Sequence, residues 1–248
     1  MRAFDGLKDD LRGMAAIMAK DLRAYYFKPP NISWGILLPF AFVLAFAIRD
    51  PGNLRALVPG LLGLTLLFGA SSMEAIVITF ERRIGALERL ILAPVRLPAL
   101  LAGKVLGGMV FGLATTLVVL IVALAVFGWQ GGNVLVLAAA LLLSAAAFST
   151  LGALVSVAVG EVFEAQTLAN ALRFPMMFLG GVFVPLAELP LGLRAVARLL
   201  PLTYAVEALQ AGLGGTPPSG ALLDLAVLAA FVAVLFALAA RTLARRTA

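Results

Sequence analysis

Apolar residues run along this chain in long blocks separated by short polar stretches. Six blocks approach the roughly 20 residues that a helix needs to cross about 30 Å of hydrocarbon. They cover about 33–48, 56–80, 105–127, 134–159, 167–184 and 221–240. The first is short, and Lys28 and Arg49 at its ends are placed to snorkel to the interfaces. Ahead of it, Phe4, Leu7, Leu11, Met14, Met18, Leu22 and Tyr25 recur at three- and four-residue spacing. Lys8, Asp9, Arg12, Lys20 and Asp21 fill the other face, which is the pattern of a helix lying in a membrane interface. Pro29-Pro30 stops that helix and turns the chain toward the bilayer.

The pattern predicts an all-α polytopic membrane protein with six transmembrane helices. Residues 1–30 form a cytoplasmic interfacial amphipathic helix, and residues 31–248 form the six-span domain. Between the fifth and sixth spans, prolines at 185, 190 and 201 forbid one continuous helix although the apolar character persists. Short or re-entrant helices over 185–204 are expected there, with a plain extracellular loop as the alternative. Backbone broken at membrane depth must be buried in protein or line a cavity.

The largest polar interruption carries seven charges: Glu81, Arg82, Arg83, Glu88, Arg89, Arg96 and Lys104. As a helix, Ile84, Leu87 and Ile91 share one face while Arg82, Glu88 and Arg89 point elsewhere. An ordinary charged loop needs neither the apolar spacing nor the acids. A partner-docking helix is the reading preferred for segment 81–104.

Composition narrows the class. The chain is 62% hydrophobic and 13% charged, with a mean hydropathy of +1.07, outside the range of soluble domains. The net charge of +6 could suggest nucleic acid, but basic residues held on the cytoplasmic side explain it better, and no nucleic-acid partner is expected. With the N-terminus inside, fourteen Lys and Arg fall in cytoplasmic segments and four outside, so both termini are expected in the cytoplasm of a multi-pass cell-membrane protein. There is no His and no Cys, which removes the commonest general base and all thiolate ligands. No catalytic residue, metal site or resident cofactor is expected. Charges at Asp5, Lys8, Asp9, Asp10 and Arg12 exclude a signal-peptide core at the N-terminus.

The run Glu81 … Gly85-Ala86-Leu87-Glu88-Arg89-Leu90 … Ala93-Pro94 … Gly103-Lys104 resembles the cytoplasmic coupling segment of type-2 ATP-binding-cassette export permeases. Val58-Pro59-Gly60 is similar to the same family, as is Asn170 … Pro175 … Gly180-Gly181 … Phe183 … Pro185 … Leu189-Pro190 … Leu200-Pro201-Leu202-Thr203-Tyr204. One departure is Ala86, where the family often has Thr. The resemblance implies a membrane subunit that works as a dimer with a second copy or a similar permease, on separate ABC ATPase subunits. ATP and Mg would then be bound by that partner. It also implies that Glu81, Arg82, Gly85, Glu88 and Arg89 meet the ATPase. Gly103-Lys104 is not a phosphate loop, since Pro98 and Val105 stand where Gly and Ser or Thr are required.

Within the spans, Glu74 is an intramembrane acid, and Arg173 in the fifth span is the ion-pair partner expected for it, ahead of substrate recognition or a proton relay. Phe174, Met177 and Phe178 beside Pro175 either line an apolar translocation path or pack between helices. Pro185, Glu188 and Pro201 are the candidates for an outer gate. Gly103, Gly107, Gly108 and Gly112 would let the third span approach a neighbour closely. The expected cargo is hydrophobic or amphipathic, a drug-like molecule or a lipid. The alternatives are a lipid-linked polysaccharide exporter, or an ATPase-independent secondary transporter or membrane scaffold in contact with lipids.

Overall fold

The structure is a computed structural model that describes residues 2–29, 54–128, 131–214 and 220–247, with isolated positions between 31 and 48. The first expected span, about Ser33–Ile48, lies outside the continuously described residues. The described residues form helices and no strand. In chain order these are α1 (Arg2–Asp21), a π-helical turn (Leu22–Tyr26), α2 (Leu54–Ser72), α3 (Glu74–Arg83) and α4 (Ala86–Ile91). They continue with α5 (Leu97–Phe127), α6 (Val134–Ala158), α7 (Val162–Leu179), a 3₁₀ turn (Leu186–Glu188), α8 (Leu191–Ala197), α9 (Pro201–Gly212) and α10 (Ala221–Thr247).

Local sequence explains most boundaries. The Asn133 side chain accepts the N–H groups of Leu135 and Val136, at 2.9 and 3.2 Å, and so caps α6. Pro201 opens α9, where its missing N–H costs nothing. Gly180 ends α7, and Gly181 follows with φ +78°, a conformation that an L side chain resists.

Among the described residues four helical stretches are long and apolar enough to cross a membrane: Leu54–Arg83, which joins α2 and α3, then Leu97–Phe127, Val134–Ala158 and Ala221–Arg246. They fall on the second, third, fourth and sixth expected spans. The fifth, expected over Thr167–Val184, falls on α7, which starts earlier and stops at Leu179. The glycine pair moves its end, and Glu164 and Arg173 lower its apolarity. The region after it holds the expected short helices. Of these, α9 runs beyond 204 and buries Leu202, Val206, Leu209 and neighbours in the bundle.

Close helix crossing rests on missing side chains. A Cβ on Gly112 would lie 2.7 Å from the Ala70 Cβ and 2.8 Å from its backbone N. One on Gly108 would meet the Ala70 carbonyl at 2.7 Å, so α5 and α2 touch backbone to backbone. Nearer the start of α5, Gly103 allows the same close approach to Met14 and Ile17 of α1. Helix α1 is thereby seated directly on α5.

The two ends of the bundle are distinguishable. Arg82 at the end of α3 donates to the Val159 carbonyl just before α7 begins. Beyond the end of α7, Val182 lies against Gly60 at the start of α2. The charged segment and the 180–207 region therefore stand at opposite ends.

Candidate functional site

The charged end is built around a fully buried lysine. Lys104, on α5, has no solvent exposure and lies 3.1 Å from Asp21 and 2.5 Å from Glu81. Lys20 touches the same two acids: its Nζ is 2.8 Å from Asp21 and forms a very short contact with Glu81. Two cations and two carboxylates thus balance where α1, α3 and α5 converge. Such a cluster is stable only while it is complete, because each charge left alone in a low-dielectric interior is costly. Burial works against the Lys20 ammonium, but its hydrogen bonds to Asp21 and Glu81 raise its pKa above the ordinary lysine value.

Beside the cluster, the Tyr26 hydroxyl donates to Glu74 at 2.6 Å, and both residues are fully buried. Burial, then the neighbouring Glu74 charge, pushes the Tyr26 phenol well above its usual pKa, so it stays a donor. Its ring packs on Phe111, centroids 5.4 Å apart. In the middle of α1, Asp10 accepts from the Arg96 backbone N–H at 3.1 Å and from its guanidinium. That hydrogen bonding holds the Asp10 carboxyl below the usual aspartate pKa.

From this foundation a short element projects. After α3, Gly85 adopts φ +70°, open left-handed backbone that reverses the chain into α4. Leu87 is 1% exposed and roots α4 in an apolar cluster with Ile17, Ile78, Leu100, Leu101, Val157 and Leu243. Arg83, Ile84, Glu88, Arg89 and Leu92 are exposed. The expected apolar face of Ile84, Leu87 and Ile91 is thus only partly turned inward, because α4 begins after Ile84.

The five residues expected at a partner contact separate into two groups. Glu88 and Arg89 lie on the surface and Gly85 shapes the turn beneath them. Arg82 is half-buried on the Val159 carbonyl, while Glu81 is enclosed in the lysine cluster and presents nothing outward. Neither the buried lysine nor the two α1 charges that share it stand out in sequence, since 83 positions separate Asp21 from Lys104.

Glu74 and Arg173 are not brought together as a pair. Glu74 is held by Tyr26, whereas Arg173, 2% exposed, donates to the Ser71 carbonyl at 3.1 Å and to Asn170 at 3.2 Å. The break between α2 and α3 explains the choice: interrupting a helix at depth frees carbonyls, and the guanidinium satisfies one of them. Its charge also lies 5.8 Å from the Phe68 ring centroid.

Phe174 and Phe178 are 48% and 59% exposed, and Met177 is buried in the main apolar cluster, so the three share no common lining. Pro185 and Glu188 are exposed, while Pro201 is buried at the start of α9. The three proposed gate residues therefore do not form one surface.

A family model described as ABC-2 type transporter matches residues 13–213, from the interfacial helix to the end of α9. The chain belongs to this family. Among curated relatives of this ABC-2 type chain, the inner membrane transport permease YadH of Escherichia coli (strain K12) is 28% identical over 186 residues, 74% of this chain and 72% of that protein. Nodulation protein J of Rhizobium leguminosarum bv. viciae is 31% identical over 72 residues, 29% of this chain and 28% of that protein. With four membrane-capable helical stretches among its described residues, the ABC-2 type chain is a multi-pass transport permease rather than an enzyme.

Proposed function

We propose that this permease is the membrane subunit of an ATP-driven exporter. It works as a dimer, each copy on a separate ATPase subunit that binds ATP and Mg, and it moves a hydrophobic or amphipathic substrate out of the cytoplasm. Both termini, α1 and α4 face the cytoplasm in this proposal, a reading supported by the excess of Lys and Arg in those segments.

The observation that carries this reading is α4 itself. Exposed Glu88 and Arg89 stand on a helix whose one buried side chain, Leu87, belongs to an apolar cluster that also draws residues from α1, α3, α5, α6 and α10. Motion imposed on the exposed charges reaches the ends of five helices through that root. Charges in such an element set docking register and on-rate more than affinity. Within the segment the docking surface is Arg83, Glu88, Arg89 and Leu92, and Glu81 acts from beneath by holding the lysine cluster.

The test is co-purification and ATP hydrolysis in proteoliposomes. Wild-type permease should retain an ATPase subunit carrying Walker motifs and support hydrolysis stimulated by transported substrate. The double change Glu88→Lys/Arg89→Glu should lose both while leaving permease abundance and thermal midpoint unchanged. Undiminished binding and hydrolysis in that variant would refute the docking role of α4.

A further inference from the structure

At the end of the bundle opposite α4 lies a cavity of about 350 Å³ between the chain that leaves α7, α8, and residues 206–210 of α9. Leu186, Arg194, Arg198, Glu207 and Gln210 are among its lining residues. Its charged groups are not equivalent. Arg198 is already matched by Glu207 at 2.6 Å. Among the described residues Arg194 has no carboxylate partner: one of its terminal nitrogens donates to the Ala187 carbonyl at 2.5 Å and to that of Leu189 at 3.1 Å. Its Nε–H is buried and has no hydrogen-bond partner.

Two carbonyls therefore fix a guanidinium in place while leaving a donor and a full positive charge uncommitted at the cavity. Buried polar groups are nearly always matched, so an unmatched charged donor points to a group it receives. The fork of an arginine suits a planar or tetrahedral oxyanion. The surroundings say what carries that oxyanion. On α8 and the segments flanking it, next in sequence to lining residues Pro185, Arg194 and Arg198, the side chains of Val184, Leu191, Leu193, Val196 and Leu199 are large, apolar and exposed. In a membrane protein such a rim belongs among acyl chains, with the cavity at the depth of their headgroups.

We infer that this cavity is a binding site for the phosphate of an amphiphile, held by the Arg194 guanidinium and the amide of Gln210. The apolar rim on α8 takes the chains. Arg198, neutralised by Glu207, borders the site rather than anchoring it. The site is separate from α4 and independent of how the transporter is powered.

The test uses intact permease in nanodiscs of phosphatidylglycerol and phosphatidylcholine, with phosphatidylglycerol retained after detergent release read by native mass spectrometry. Arg194→Ala should reduce retained phosphatidylglycerol about tenfold, the scale of one lost charge-assisted hydrogen bond. Because Arg194 also braces two carbonyls, Ala187→Trp, which fills the cavity and keeps those bonds, should give the same loss. Arg241→Ala, at the far end of α10, should leave retention unchanged.

A second arm measures the thermal midpoint in detergent with inorganic phosphate or with a short-chain phosphatidylglycerol. Stabilisation by the lipid alone, abolished by both variants, supports the amphiphile. Stabilisation by inorganic phosphate alone, abolished by both variants, keeps an oxyanion site but overturns the lipid assignment. Unchanged lipid retention in Arg194→Ala and Ala187→Trp, with no response to either probe, overturns the site altogether.

Discussion

Lys104→Met is the sharpest probe of the buried cluster. Methionine matches the length and apolar volume of the lysine stem, so packing against α1 changes little. What changes is the charge balance: Asp21 and Glu81, both without solvent exposure, would share only Lys20. Removing one partner of a buried ion pair costs about 3–5 kcal/mol. For a chain of this size each kcal/mol moves the thermal midpoint by roughly 2–4 °C, so Lys104→Met should lower it by roughly 6–20 °C. Adding Glu81→Gln restores one cation against one carboxylate, Lys20 with Asp21. The double variant should therefore be more stable than Lys104→Met alone, and the sign of that interaction is the diagnostic. The assay is fluorescence-detected size exclusion after heating in one detergent for wild type, both singles and the double. A double variant that loses at least the sum of the two singles would refute the balanced-cluster account.

Three further outcomes follow from the same geometry. Tyr26→Phe leaves the Glu74 carboxyl without its one hydrogen-bond donor, at about 1–3 kcal/mol, and should lower the midpoint by several degrees in the same assay. Gly85→Ala meets no neighbouring atom but must hold φ +70°, so it should cost on the order of 1 kcal/mol and blunt ATPase stimulation more than it lowers stability. The Asp10–Arg96 contact should weaken in acid: with a folded pKa below the ordinary 3.8, its stabilisation is present above that value and lost as pH falls through the lower one. Hydrogen-exchange protection across residues 8–20, taken relative to the intrinsic exchange rate at each pH, should fall as the pH drops below 3.8 in the wild type, and Asp10→Asn should remove that pH dependence.

Periodicity made the long helices, the amphipathic α1 and the projecting charged segment legible, because each is set by residues within a few turns of one another. The glycines of α5 were legible as close-approach positions, though not which helix each would meet. What sequence concealed was pairing at distance. Lys104 counts toward the positive-inside bias whether it is in water or buried, and only the fold shows that it faces Asp21 and Glu81. Glu74 and Arg173 looked like partners because they were the main ionisable residues within the expected spans, Asp224 standing near the start of the sixth. The helix break at Met73 instead offered Arg173 a carbonyl, and the end of α1 brought Glu74 a phenol. Likewise Glu81 read as a surface charge by its neighbours, while its own side chain turned inward.

The π-helical turn at Leu22–Tyr26 acts as a phase shifter. There the Phe27 N–H reaches back five residues to the Leu22 carbonyl, at 2.9 Å, so the turn holds more chain than an α-helix would. An α-helix advances about 100° per residue, and relaxing the wide turn by one residue would rotate everything before it by about that angle relative to Tyr26. Lys20 and Asp21 would swing off Lys104 while Tyr26 kept Glu74. The angular setting of the whole interfacial helix is therefore stored in one surplus residue of winding.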